Sequence, residues 1–250
     1  MAIVCKSQSE IDKMRRSGHI VRQVLDELRN LVAPGVSTMD LEKLAERRIT
    51  ESGAKPAFKG YYGYPCVLCT SINDEIVHGI PSAKRVLKTG DIVSIDCGVV
   101  LDGYYGDAAI TVAVGDSVSS ERKRLMEVTE QSLYKAIEQV KIGNTISDIG
   151  GAVQEFVEAH GFSVVREFVG HGIGTKLHEE PQVPNFRSRG ADMRLREGMV
   201  LAIEPMVNSG GPEARVLEDK WTAVTLDGSC SAHFEHCVAV TRNGPLILTQ

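Results

Sequence analysis

The sequence predicts an α+β fold made of two related halves. Three observations predict it: a helix-then-strand order that occurs twice, residues that recur at one constant offset, and an apolar ribbon folded by a strong hairpin signal. The first half opens with a helix from about Ser7, where Ser7 and Glu10 form a capping box. Ile11, Met14, Val21, Val24, Leu25 and Leu28 make its apolar stripe. A second helix follows Gly35, and strands follow that. The second half repeats the order with a helix from about Ser119, then Gly143, another helix and strands. At an offset of 108 residues, Gly35, Asp40, Leu41, Ile49 and Gly53 align with Gly143, Asp148, Ile149, Val157 and Gly161. The halves, about 7–114 and 119–250, pack around a pseudo-twofold. No linker or low-complexity stretch divides the chain, so residues 1–250 form a single domain.

The hairpin lies in Val93–Ala108. Apolar residues alternate around Ser94 and Asp96, and Asp102-Gly103 is a two-residue turn signal. If Leu101 faces Tyr104, Asp96 lies opposite Ala109 and Asp107 is its diagonal neighbour on the same face, within roughly 7–8 Å. Two carboxylates so placed on an apolar ribbon repel, so one is protonated or a cation sits between them.

Downstream, Gly170, Gly172 and Gly174 surround His171 and lead to His178, a backbone able to bend closely around a site. Val200–Met206 and Ala232–Val240 each set one glutamate, Glu204 and Glu235, inside an apolar, strand-like run. A buried glutamate needs a cation or strong donors. Asp96, Asp107, Glu204 and Glu235 carry four negative charges, matched by two divalent cations, and His171 adds a neutral nitrogen. Carboxylates with one imidazole and no thiolate favour manganese, iron, cobalt or zinc over a structural tetrathiolate zinc. Two such ions about 3.5–4 Å apart, lying between the halves, would clamp a tetrahedral oxyanion. The chemistry indicated is hydrolysis of a carbonyl or phosphoryl substrate, and charge balance does not choose between them.

At these residues the chain resembles the metal-dependent aminopeptidases of the pita-bread fold, and among them the type 1 methionine aminopeptidases. Asp96, Asp107, His171, Glu204 and Glu235 match the family's metal ligands in order and context. The likeness extends to Asn73–Pro81, Gly170–Gly174 and His178–Val183, and spans about Ile11 to Leu248. The resemblance implies a curved antiparallel sheet covered by helices. It implies removal of the N-terminal methionine from nascent chains, with a small second residue, through a metal-bridging hydroxide. Asp96 would chelate one ion, Asp107 and Glu235 would bridge, and His171 and Glu204 would complete the other sphere. Glu204 would also be general base. His178 would meet the scissile carbonyl oxygen, and His78 the scissile nitrogen and second residue.

Tyr61, Tyr64, Cys69 and Trp221 match positions of a methionine-sized slot. Phe58 and Leu177 stand where other members often differ, which changes the slot's shape rather than its role. Backbone oxygens near Asn73, Glu75 and Ser231 would hold a monovalent cation.

Composition excludes little else. The chain is 42% hydrophobic and 24% charged, with a net charge of −5, which gives no case for DNA or an anionic membrane. No apolar run approaches the roughly 20 residues of a membrane span. The first residues lack the layout of a signal peptide, so a cytoplasmic location is expected. Ala2 is small enough for the chain to lose its own Met1. The six cysteines are expected as free thiols, with Cys97 on the face opposite Asp96.

Proline-directed members share the five ligands but usually carry a further N-terminal domain. Type 2 members carry a helical insertion for which the Glu180–Glu204 segment is too short. The alternative from another class is a catalytically silent pita-bread binding protein acting at the ribosome; such members lose ligands, and this chain keeps all five. The ribosome is also a candidate partner of the enzyme, and the resemblance favours a monomer.

Overall fold

The structure, a computed structural model, describes residues 3–188 and 192–250. The expectation about Met1 and Ala2 lies outside these residues. Helices α1 (Gln8–Leu31), α2 (Thr38–Glu51), α3 (Ser120–Ile137) and α4 (Ile146–Ala159) accompany fifteen strands among the described residues. In the first half these are β1 (Lys55–Pro56), β2 (Leu68–Ile72), β3 (Glu75–Val77), β4 (Ile92–Leu101) and β5 (Tyr104–Ala113). The second half holds β6 (Ser163–Val164), β7 (Gly170–Gly172), β8 (Glu179–Val183), β9 (Val200–Ile203) and β10 (Met206–Asn208). It continues with β11 (Ala214–Val216), β12 (Ala223–Thr225), β13 (Ser231–His233), β14 (His236–Thr241) and β15 (Gly244–Ile247).

The internal repeat holds to the residue. Helices α2 and α4 have equal length, and their N-caps Ser37 and Thr145 are equivalent under the repeat. Each closes a capping box, Ser37 with Asp40 and Thr145 with Asp148. Each cap residue also bridges an equivalent partner, Val86 and Arg194. Gly35 and Gly143 enter the turns at φ +92° and +95°.

Among the described residues all pairings are antiparallel, in four hydrogen-bonded ladders: β1-β4-β2 with β5 on β4, β13-β10-β6, β11-β12-β3, and β15-β14-β9-β7-β8. Helices α1 and α2 bury their apolar faces on β2, β4 and β5; Leu28 and Leu41 are fully enclosed there. Helices α3 and α4 do the same on β9, β10, β13 and β14. Each such side chain contributes about 1.5–3 kcal/mol of burial. Cys97 points into the α1/α2 core, opposite Asp96, and the six cysteines are free thiols. Helix α1 crosses β5 closely at Gly18: a Cβ added at Gly106 of β5 would stand 2.7 Å from the Gly18 backbone nitrogen, and one added at Gly18 would stand 2.2 Å from the Leu248 carbonyl oxygen.

Strand β5 joins the halves. Its register on β4 sets Leu101 opposite Tyr104 and Asp96 opposite Ala109, and leaves one edge unpaired by β4. Alternate residues along that edge bond to the second half. The Tyr105 N–H donates to Gly174 O at 2.9 Å, and the Glu235 N–H donates to Ala109 O at 2.9 Å. Between them, the Asp107 N–H donates to Cys237 Sγ at 3.3 Å.

The sequence put Glu204 and Glu235 within continuous strands, and here the structure differs. Glu204-Pro205 separates β9 from β10, and Phe234-Glu235 separates β13 from β14. At the first break the chain passes from the five-stranded ladder to the β13-β10-β6 ladder, and at the second it passes back. Pro205 has no N–H to give a ladder, so pairing stops there. Both glutamates consequently sit at corners, their side chains freed from strand alternation and turned to the seam beside β5.

Candidate metal-dependent active site

One cavity of about 260 Å³ opens at this seam, lined by Phe58, Tyr61, Tyr62, Tyr64, Cys69, His78, Asp96, Asp107, His171, Leu177, His178, Glu204, Trp221 and Glu235. Every residue that the sequence singled out for ligation, catalysis or the slot is among them. Asp96 and Asp107 come from the β4–β5 hairpin, where Asp107 stands opposite Gly98, diagonal to Asp96. His171 lies on β7, held against Ala202 of β9. Asp107 and Glu235 are 4% and 3% exposed, while Asp96 opens partly to the cavity.

The electrostatics are those of a site built for positive charge. Burial pushes Asp96 up to about 7. Burial, then neighbouring carboxylates, push Asp107, Glu204 and Glu235 well above the carboxylate range. Glu42 is a useful contrast: it too is buried, but its oxygens accept the backbone N–H groups of Val67 and Leu68 at 2.6 and 2.9 Å. In the seam, Asp96 Oδ1, Asp107 Oδ1 and Glu235 Oε1 are buried with no hydrogen-bond partner among the described residues. Ligand atoms of Asp107, His171 and Glu235 all lie within 4.8 Å of one another. Unpartnered anionic oxygens converging with an imidazole fit a divalent cation.

The His171 tautomer agrees. Its Nδ1–H donates to Gly172 O at 2.9 Å, which leaves the Nε2 lone pair free for a metal. Burial holds His171 down to about 3, so it is neutral, as a ligand must be. Its Nε2 lies 3.6 Å from Glu204 Oε1.

Above the carboxylates the cavity is apolar and aromatic. Tyr64 and Trp221 meet edge to face with centroids 5.0 Å apart, and Trp221 lies 6.5 Å from the His78 ring. Two Asp219 carboxylate bonds, from the N–H groups of Trp221 and Thr222, fix that loop. The Tyr64 hydroxyl donates to Leu68 O at 2.9 Å, which anchors its ring at the slot. His178 hydrogen-bonds the Tyr61 hydroxyl through Nδ1 at 2.7 Å, and its ring packs 4.2 Å from that of His171.

Two residues at the site escaped the sequence. Tyr62 forms the rim, 86% exposed, in a left-handed conformation at φ +45°; its signal was the Gly60–Gly63 frame around two tyrosines. His233 reaches the site from β13, with Nε2 3.8 Å from Glu204 Oε2. Its only signal was its place two residues before Glu235.

Buried carboxylates and a neutral imidazole at the foot of an apolar cavity define a metal-dependent hydrolase on a duplicated α+β frame. The chain belongs to metallopeptidase family M24, whose model matches residues 12–242. It is 51% identical over 247 residues to a methionine aminopeptidase of Clostridium perfringens, covering 99% of this chain and 98% of that one. It is 51% identical over 248 residues to methionine aminopeptidase 1 of Bacillus subtilis, covering 99% of each. The crystal structure of methionine aminopeptidase from Thermotoga maritima matches over 100% of both chains, with a TM-score of 0.97 and 48% identity. The pita-bread fold is shared more widely. A Xaa-Pro dipeptidase from Bacillus anthracis matches at a TM-score of 0.77 and 23% identity, and the match covers 62% of that chain.

Proposed function

We propose that this chain is a methionyl aminopeptidase, a metallo-exopeptidase that removes the N-terminal methionine from new polypeptides and prefers a small second residue. One observation carries the reading: an apolar slot lined by Phe58, Tyr64, Leu177 and Trp221 opens directly onto the buried carboxylate–imidazole cluster. The full-length identity of about half to proteins named methionine aminopeptidase supports it.

Asp96, Asp107, His171, Glu204 and Glu235 would hold two divalent ions, with cobalt, manganese, iron and zinc all suited to the donor set. Such ions, when bound, polarise a carbonyl and make water a stronger acid. Glu204 takes the proton of the attacking water and passes it to the leaving amine. His178, its ring fixed by Tyr61, donates to the oxygen on which charge develops. The slot of Phe58, Tyr61, Tyr64, Cys69, Leu177 and Trp221 receives the methionine side chain and excludes water from it. His78, left-handed at φ +62°, stands at the second-residue side and limits its size. A monovalent cation near Asn73, Glu75 and Ser231 is part of the same reading, supported by the Ser231 N–H bond to Asn73 O at 2.8 Å.

The reading treats residues 1–250 as one catalytic domain, supported by the β5 bonds between the halves. It takes the protein as a cytoplasmic monomer working on chains as they leave the ribosome. Among the described residues no helix is long and apolar enough to cross a membrane. A silent binding protein is not favoured, since all five ligand positions carry ligating side chains.

The test is to load metal-free protein with manganese or cobalt and assay Met-Ala-Ser beside Ala-Pro-Ala. Methionine release from the first alone is the expected result. Cleavage of the proline peptide alone would overturn the slot, and cleavage of neither would favour the binding protein.

A further inference from the structure

His233 enters the site from the end of β13 with its Nε2 3.8 Å from Glu204 Oε2. Its side chain is 2% exposed, and Nε2 has no hydrogen-bond partner among the described residues. The backbone beneath it is rigid: the His233 N–H donates to Thr111 Oγ1 at 2.9 Å, and the Thr111 hydroxyl donates to His233 O at 2.8 Å. Met206 pairs with it across the ladder. His236, on the other side of the Phe234-Glu235 break, hydrogen-bonds Thr249 Oγ1 through Nδ1 at 2.8 Å. Of the two histidines flanking Glu235, one meets the general base and the other the C-terminal segment.

The two oxygens of Glu204 thereby face different imidazoles. Oε1 lies 3.6 Å from His171 Nε2 and Oε2 lies 3.8 Å from His233 Nε2. His171 offers a lone pair on that side, because its Nδ1 carries the proton. A bound cation would take the Oε1 side with His171, leaving Oε2 to handle the proton. We propose that His233 is a positioning residue for the general base, its Nε2–H donating to Glu204 Oε2 and holding that oxygen toward the attacking water. A side-chain shift of about 1 Å brings the pair to hydrogen-bond length. A donor fixed on a strand holds a carboxylate better than one on a loop. The inference rests on the role proposed for Glu204.

Two substitutions separate positioning from packing. His233→Leu fills the space without a donor, whereas His233→Gln keeps an amide N–H at about the reach of Nε2. Each is compared with the parent by kcat and KM on Met-Ala-Ser, by calorimetric Mn²⁺ binding to the metal-free protein, and by thermal melting. His233→Leu should lower kcat about 10- to 100-fold, as for a lost hydrogen bond to a charged group, with KM and Mn²⁺ affinity within about threefold. His233→Gln should restore most of the lost kcat. A Leu variant with kcat within about threefold of the parent overturns the proposal, as does a Gln variant no better than Leu. A fall in Mn²⁺ affinity that accounts for the kcat loss also overturns it and makes His233 a determinant of metal binding. If the Leu variant does not fold, His233→Asn, whose amide falls short of Oε2, must show the same deficit against Gln. An inactive parent overturns the hydrolase reading itself, a result distinct from all of these.

Discussion

The Cys237 thiol sits against the backbone of Asp107, accepting from its N–H at 3.3 Å and donating to its carbonyl oxygen at 3.1 Å. Asp107 stands on the β5 edge away from β4, so these are the groups a further strand would otherwise pair. Burial pushes the thiol well above its ordinary range, so it stays protonated and keeps its donor. Cys237→Val fills the space with a somewhat bulkier apolar side chain but orphans the buried N–H and C=O of Asp107, a proposed ligand. The expected loss is about 1–3 kcal/mol for each group left unpaired, read by urea unfolding of the metal-free protein. Mn²⁺ affinity should fall as well. A valine variant matching the parent in both would show that the thiol only fills space.

Glu204→Gln separates ligation from proton transfer. The amide oxygen would still ligate, and the other proposed ligands, Asp96, Asp107, His171 and Glu235, are untouched, so calorimetry should still find Mn²⁺ bound. Without a base, kcat on Met-Ala-Ser should fall by at least about 100-fold. Near-parent turnover would remove Glu204 as the base.

The helices, the β4–β5 register and the repeat were legible in the sequence because each rests on local chemistry. Ser7, Ser37 and Thr145 cap through side chains three residues from their partners. Asp102-Gly103 sets a register from which Asp96 and Asp107 follow. The residues around the cavity were legible as types, because carboxylates and imidazoles stand out in apolar runs. The corners at Glu204 and Glu235 were not, since apolar residues on both sides conceal a strand that changes ladder. His233 was invisible for a related reason: which histidine beside Glu235 turns inward depends on that break. The Cys237 bond joins residues distant in sequence, and no local pattern encodes it.

The repeat makes a paired prediction. Gly35 and Gly143 adopt φ +92° and +95° in equivalent turns, with nothing within 4 Å of a Cβ added at either. Space is available at both, so alanine costs only the left-handed conformation, about 1–2 kcal/mol. Gly35→Ala and Gly143→Ala should destabilise to the same extent within about 0.5 kcal/mol, and additively when combined, because the sites are independent. Urea midpoints of the three variants check this; a loss at one turn alone would show that the halves are not energetically equivalent.

His78 gives the chain an acid-sensitive element outside the proposed ligand set. Burial, followed by the field of His178, holds it down to about 4 from an ordinary 6.5, with its ring edge-on to Phe168 at 5.6 Å. Between those two values the unfolded chain binds a proton that the folded chain refuses. Stability therefore falls as pH drops from 6.5 toward 4 and levels off below; above 6.5 the term is constant. The full difference is worth up to about 3 kcal/mol. His78→Leu removes this proton from both states, so its stability should decline less than the parent's between pH 7.5 and pH 4.5. Urea unfolding of metal-free parent and variant at both pH values measures the contrast. Equal declines would mean that His78 is protonated in the folded protein as readily as in the unfolded chain.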